Sequence, residues 1–471
     1  MSLSRRQFLT SAGIGVAVIG SAEAFFSAPN ALGAPPGTPG YGPLVADPAG
    51  RLALPKGFTY QIVAEAGKTT LESGQVTPSK FDGTGAFKIA GRPSTGSGAA
   101  IGGTALVLNH EIGSQFASEK LPVPHLDGLV YDKGAAGGCT VVEVDDNGKR
   151  VKEFVGVAGT MTNCAGGITP WDTWLTCEET EQKADAAKGF EKDHGWVFEV
   201  DPFDRNANQN PKPIKAFGRY AHEACAVDPH TDAVYLTEDA SKPNGLMYKW
   251  APPAGFKGGK GAYRALADDA GVLYALVAKD NSGKIIADVA AATSVGTTYK
   301  TDWVAVPDRF AKTTPIRSQF KDGEVTRGRK WEGAWWGDGG AYVVTSFART
   351  SDGSVAEHDG QVWFFDPKRE TMTLKVRFGR SADVNKPGDG PDNIAVSPWG
   401  GLILAEDGEG KNHIIGVTED GETYPIARNE VDDDEFTGPC FSHNKQIMFA
   451  NQQSPGVMYA ITGPWKNKPR S

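Results

Sequence analysis

The sequence predicts an all-β protein, a β-propeller of six blades with a few inserted loops and short helices. Three observations lead there. Short alternating apolar runs bounded by turn residues recur along the chain, at 104–109, 195–201, 233–237, 341–345, 361–366, 401–405 and 446–450. The 59 glycines and 30 prolines follow no fixed short period, so they punctuate strands and do not mark a collagen or a linker. A unit also repeats: a strand ends in Asp-Pro or Ser-Pro, a polar turn follows, and the next strand ends in an acid or amide. CAVDPHTDAVYLTED (225–239), NIAVSPWGGLILAED (393–407) and CFSHNKQIMFANQ (440–452) align on this pattern. Six blades at roughly 40–50 residues each, with insertions, account for the core. A pair of β-sandwiches is the alternative architecture.

Residues 1–34 read as a twin-arginine signal. Ser4-Arg5-Arg6-Gln7-Phe8-Leu9 precedes a small-residue apolar run too short for a confident membrane span, with a cleavage site expected near Ala34. Such export carries folded proteins, which raises the expectation of a cofactor and places the mature chain in the periplasm or medium with no stable membrane anchor. Residues 35–54 read as an N-terminal linker, 55–464 as a single domain and 465–471 as a tail. Within the domain, 262–278 and 285–292 are the best helical candidates. The net charge of −9 is wrong for a nucleic-acid binder and suits hard cations. Five cysteines, an odd number without a CxxC pair, exclude a zinc ribbon and a thioredoxin motif and leave at least one thiol free or bound.

The repeats put acids at equivalent strand ends: Glu178-Glu179, Glu238-Asp239 and Glu406-Asp407, with Asn109-His110-Glu111 and Asn451-Gln452 in comparable places. In a propeller such ends converge at one mouth of the channel, where carboxylates repel unless cations balance them. Single pairs would read as solvated turns; several equivalent ones read as a metal site. Glu223, Glu332 and Asp392 precede or open further strand patterns. Cys164, before Ala-Gly-Gly, is placed for a metal, whereas Cys177 lies inside a strand pattern and reads as a core thiol. His110 and His222 precede glutamates and either orient them, pack or bind metal. Carboxylates with little histidine favour calcium, magnesium or iron over zinc.

The motifs NHE (109–111), NCAGGITPWDTWLTCEE (163–179), GRYAHEACAVDP (218–229), YLTED (235–239), WEG (331–333), GPDN (390–393) and FTGPCFS…NQQSPG (436–456) run in an order that resembles the PhoX family of bacterial alkaline phosphatases. The resemblance implies a six-bladed propeller, Ca2+ and Fe3+ at the channel mouth, and extracytoplasmic hydrolysis of phosphate monoesters for phosphate acquisition. By it Cys164 would ligate iron with Glu223 and Glu332, and Glu178, Glu179, Asp392 and Asp407 would hold iron or calcium. Glu238 joins this metal set from its strand-end position. The family's arginine two residues before the glutamate is here Lys330, with Arg329 beside it, and these two are the candidate phosphate-facing cations. The expected chemistry is attack by a metal-bound hydroxide or oxo group on a clamped phosphate ester, in a monomer. A calcium-dependent lactonase or esterase propeller, or a non-catalytic calcium-stabilised binding propeller, are the rival readings.

Overall fold

The computed structural model describes residues 39–93, 100–114 and 120–465. Residues 1–34, expected as a twin-arginine signal, and residues 466–471 lie outside the described residues. The predicted all-β, propeller-like arrangement is the one observed. Six innermost strands, Phe81–Pro93, Asn163–Ile168, His222–Val227, Trp331–Gly337, Pro391–Val396 and Phe436–Phe441, pack on one another in that order, and the last returns to the first.

Each innermost strand leads outward into an antiparallel sheet. Phe81–Pro93 continues through Ala100–His110, Gly137–Asp145 and Arg150–Thr160; Asn163–Ile168 through Trp174–Glu178 and Val197–Val200. Hydrogen bonding gives five sheets among the described residues, because one sheet of ten strands spans two ring positions. There Thr298–Ala305 pairs with Val272–Lys279 on one edge and Thr371–Phe378 on the other. Ring closure joins distant parts of the chain: Val457–Thr462 pairs with Thr59–Glu65 in the sheet begun by Phe436–Phe441. Leu52–Pro55 and Leu44–Val45, in the stretch expected as a linker, extend the sheet begun by Pro391–Val396.

The helical expectation fails. Residues 262–270 form turns, and Val272–Lys279 is a strand hydrogen-bonded on both sides. Its run Val-Leu-Tyr-Ala-Leu-Val-Ala is β-branched and apolar, and two pairing edges outweigh the helix propensity of its alanines. Within 285–292 only Val289–Ala291 is helical, as one 3-10 turn. No helix among the described residues is long and apolar enough to cross a membrane.

Neighbouring sheets hold together mainly by apolar packing. Trp174, Trp250, Trp331 and Trp363 are among the largest fully buried side chains. Burying a large apolar side chain stabilises by roughly 1.5–3 kcal/mol, so these interfaces carry the closure of the ring.

One irregularity repeats around the ring. In every innermost strand the register against its neighbour slips near the start: between Phe81 and Thr84, Asn163 and Gly166, His222 and Cys225, Trp331 and Ala334, Pro391 and Ile394, and Thr437 and Cys440. A bulge bends the strand and re-aims one side chain. The bulged pairs are Asp82-Gly83, Cys164-Ala165, Glu223-Ala224, Glu332-Gly333, Asp392-Asn393 and Gly438-Pro439. Most pairs thus read acid or thiol followed by a small residue. The small residues meet below: a Cβ on Gly83 would lie 2.6 Å from Ala165 Cα, and one on Gly333 would lie 2.6 Å from Asp392 O. They leave a cavity of about 20 Å3, room for about one water.

Candidate metal centre

Side chains from the next strands fix the bulges. Asn109 Nδ2 donates to Cys164 O at 2.9 Å and Ala165 O at 2.8 Å, while its Oδ1 accepts from Trp174 Nε1 and Thr176 Oγ1. Asn451 Nδ2 donates to Asp82 O, and Asn393 Oδ1 accepts from Gly438 N. At these three bulges backbone groups are satisfied by side chains, which fixes the turn of the bulged residues.

They converge. Cys164, Glu179 and Glu223 offer ligand atoms all within 4.8 Å of one another, as do Glu223, Glu332 and Asp392, and again Asp392, Asp407 and Glu435. Sharing Glu223 and Asp392, the three groups form one continuous cluster. Asp82, Glu111 and Asp239 act on it electrostatically. Two tiers supply most of the acids, the bulge itself and the residue just past the end of a second strand, as with Glu111, Glu179, Asp239 and Asp407; Glu435 comes from just before the innermost strand Phe436–Phe441.

Burial and like charge push these groups up together. Burial is the largest cause at Glu223, followed by Asp392, Glu332, Glu179 and Asp82, and it holds the carboxyl well above the usual range. Asp82, Glu179 and Glu435 are raised in the same way. Asp392 is pushed up to about 7, first by burial, with Lys330 opposing and Asp407 adding. The Cys164 thiol is raised by burial and then by Glu223. Lys330 Nζ sits 3.0 Å from Glu332 Oε1 and 3.2 Å from Asp239 Oδ2. Burial works against its charge, but Asp239, Glu332, Asp407 and Asp392 raise its pKa well above the ordinary lysine value. One ammonium among so many acids leaves Glu332 raised as well.

The donor set fits cations. Glu223 Oε1 is buried without a hydrogen-bond partner, and an uncompensated buried carboxylate costs several kcal/mol unless it is protonated or meets positive charge. Carboxylate oxygens suit hard cations such as calcium, and a thiolate adds affinity for iron.

Of the residues expected here, Cys164, Glu179, Glu223, Glu332, Asp392 and Asp407 come together with Lys330. Glu178 and Glu238 do not, because successive side chains on a strand point to opposite faces. Glu178 faces into its own sheet, where it accepts from Met161 N, Gly195 N and Trp196 N and pairs with His194 at 2.7 Å. Burial alone would lower the His194 pKa, but Glu178 and then Asp132 raise it. Glu238 accepts from Leu246 N and Tyr248 Oη and pairs with Arg317 at 2.9 Å. Both clamp loops. Arg329 also turns away: its Nε lies 2.9 Å from Asp352 Oδ2 and its guanidinium stacks on Phe347. His110 and His222 bond backbone carbonyls, of Ser79 and Gly218, and burial depresses both imidazoles, to about 4 and about 3. Cys177 lies in the apolar core.

Glu178→Ala tests the clamp. It strands two buried N–H donors, Gly195 and Trp196, a half-buried third at Met161, and His194, so urea unfolding is expected to show a loss of about 3 kcal/mol or more. A loss under 0.5 kcal/mol would show that the loop holds without it.

The family model of alkaline phosphatase PhoX matches residues 39–153 and 147–456. The chain belongs to the PhoX family. It is by that membership a phosphoric monoester hydrolase. No curated protein sequence matches it. Among solved structures, Pseudomonas fluorescens PhoX in complex with vanadate, a transition state analogue, superposes with a TM-score of 0.66 at 19% identity, covering 92% of this chain and 98% of that one. This likeness shows the propeller fold. A gluconolactonase of Xanthomonas campestris gives a TM-score of 0.32 at 13% identity, covering 82% of this chain and 98% of its own. The pyranose dehydrogenase PQQ domain of Coprinopsis cinerea gives 0.37 at 9%, covering 88% and 97%.

Asp82 and Glu435 are site residues that sequence reading passes over. Asp82 had one available signal, an acid-glycine pair opening a strand as Glu332-Gly333 does. Glu435 closes the run Asp432-Asp433-Asp434-Glu435, which reads as a solvated face.

Proposed function

We propose that this PhoX-family protein is an extracytoplasmic phosphatase that hydrolyses phosphate monoesters at a calcium and iron centre in the channel mouth. The observation that carries the reading is the convergence of the Cys164 thiol with Glu179 and Glu223, in one continuous acid cluster in which Lys330 pairs with Glu332. Cys164, Glu179, Glu223 and Glu332 would hold the thiolate end, suited to iron, and Asp392, Asp407 and Glu435 the all-oxygen end, suited to calcium. When bound, such cations neutralise phosphoryl charge and lower the pKa of water.

The chain's own residues do the rest. Lys330, held by Asp239 and Glu332, presents a cation to the non-bridging oxygens of the ester. It offers a point charge where an arginine would offer a bidentate fork. The small residues at Gly83, Ala165, Ala224 and Gly333 line a cavity below the cluster with room for about one water, too small for a phosphate ester. The twin-arginine signal supports loading and folding before export.

Metal analysis of the mature protein, beside p-nitrophenyl phosphate hydrolysis at alkaline pH with and without calcium, tests this. Iron plus calcium and calcium-dependent turnover are expected. Calcium alone with no turnover would sink it in favour of a lactonase-type or binding propeller. Lys330→Met is expected to lower kcat/KM about 100-fold, from the loss of one preorganised charge on the transferring group. Lys330→Arg should stay within about tenfold of the parent. Equal activity in Lys330→Met would remove Lys330 from substrate binding.

A further inference from the structure

Across the channel from Lys330 stands a second lysine in the same backbone position. Phe81–Pro93 lies three places around the ring from Trp331–Gly337, on the opposite side. Lys80 immediately precedes the one strand as Lys330 precedes the other, and both are left-handed, with φ of 56° and 50°. The turn into the innermost strand thus lifts both side chains from matching points on facing walls.

Their partners differ. Lys330 is gripped by two carboxylates, Asp239 and Glu332. Lys80 Nζ donates to a neutral atom, Gln453 Oε1, whose amide in turn donates to Glu111 Oε2 at 2.7 Å and Asp82 Oδ2 at 3.2 Å. Of the nearby carboxylates, Glu111 accepts from Gln453 and Asp434 from the Ser454 N–H, and neither forms a direct ion pair with Lys80 among the described residues. An ammonium carries three N–H groups, so two on Lys80 have no acceptor among the described residues. Lys120 faces Glu111 from the same wall, where it and Lys80 both offset the burial that raises this carboxyl. Lys120 makes no hydrogen bond or ion pair among the described residues. This side of the mouth therefore holds ammonium N–H donors that no acid of the cluster pairs with directly among the described residues.

We propose that Lys80 and Lys120 form a second anion-binding wall, so that the preferred substrates are phosphate monoesters carrying a further anionic group a few bonds from the scissile ester. That group is a carboxylate or a second phosphate; either is an oxyanion that ammonium donors recognise. The proposal rests on the phosphatase reading of the centre. Lys330 and the cation cluster take the scissile phosphoryl group, and the facing wall takes the other end of the substrate.

A matched pair of esters tests it. Glycerol 3-phosphate and 3-phosphoglycerate differ only in a hydroxymethyl against a carboxylate at the far carbon. At equal metal content, the parent protein is expected to favour 3-phosphoglycerate about tenfold in kcat/KM, as one charge-assisted hydrogen bond would give. Lys80→Met should bring that ratio close to one, Lys120→Met should lower it less, and Lys80→Arg should restore it. A parent with no preference, or a ratio unchanged in both methionine variants, overturns the wall. Loss on both esters in equal proportion does so too, since it marks a structural role. If neither ester turns over, the phosphatase reading fails, and calorimetric binding of 3-phosphoglycerate decides the wall separately. Binding about tenfold weaker in Lys80→Met keeps it, and equal binding removes it.

Discussion

Glu223→Ala is expected to abolish hydrolysis, by about 1,000-fold or more, and to strip metal from the centre. Glu223 belongs to two of the three ligand groups, so it joins the thiol end of the cluster to the carboxylate end. Losing a shared ligand removes several kcal/mol of charge stabilisation at once, which is three or more decades in rate. The isosteric Glu223→Gln should behave alike in turnover and metal content but move the metal-free protein the other way. Its parent carboxyl is held well above the usual range by burial and by Asp392. Folding the metal-free parent at pH 8 must therefore protonate this group or bury its charge. An amide escapes both, so urea unfolding in chelator should show Glu223→Gln more stable by roughly 1–3 kcal/mol. Glu332→Ala should also lose metal and activity. Unchanged turnover at unchanged metal content would remove Glu223 from the centre.

Chelation should give the protein a reversed pH profile. Asp82, Glu179, Glu223, Glu332, Asp392 and Glu435 all have carboxyls raised in the folded chain, Asp392 to about 7. A raised carboxyl binds its proton more tightly folded than unfolded. Its stabilising effect is complete below the ordinary value near 4 and is lost as pH rises toward the raised value. Each such group contributes a slope of up to about 1.4 kcal/mol per pH unit. Lys330, raised above an already high value, stays charged in both states across this window and adds no slope. The chelated protein should thus lose several kcal/mol between pH 5 and pH 8, where many proteins are near their most stable. The metal-loaded protein should not, because ligands bind cations in their deprotonated form and affinity grows with pH. Urea or thermal unfolding with and without chelator measures both. Chelated stability that climbs with pH would refute the picture.

The acidic strand ends were readable in the sequence, but not which acid of each pair faces the channel. Glu178-Glu179 and Glu238-Asp239 differ by one position, and on a strand one position is the difference between the two faces. The register that decides it is set by the bulges, which involve partners up to hundreds of residues away, such as Asn451 for Asp82. Lys330 was found beside Arg329 for the same kind of reason in reverse: its left-handed backbone swings one of two adjacent cations inward. The alternating strands of the propeller announce themselves locally. The alanine-rich stretch through Val272–Lys279 does not, because its pairing with Thr298–Ala305 is a tertiary fact.

The seam that joins Val457–Thr462 to Thr59–Glu65 has a consequence in time. A ribosome releases the chain from its beginning, yet Glu435 and the strand starting at Phe436 complete the mouth, and Val457–Thr462, two strands on, locks it shut. For most of synthesis the emerging chain holds Cys164, Glu179 and Glu223 on a fan that is still open. Cations offered then meet a partial, mobile set of ligands of the kind any acidic peptide presents. High-affinity capture belongs to the finished chain, as a single late event, and a protein stalled before its final strands should leave the ribosome without its metal.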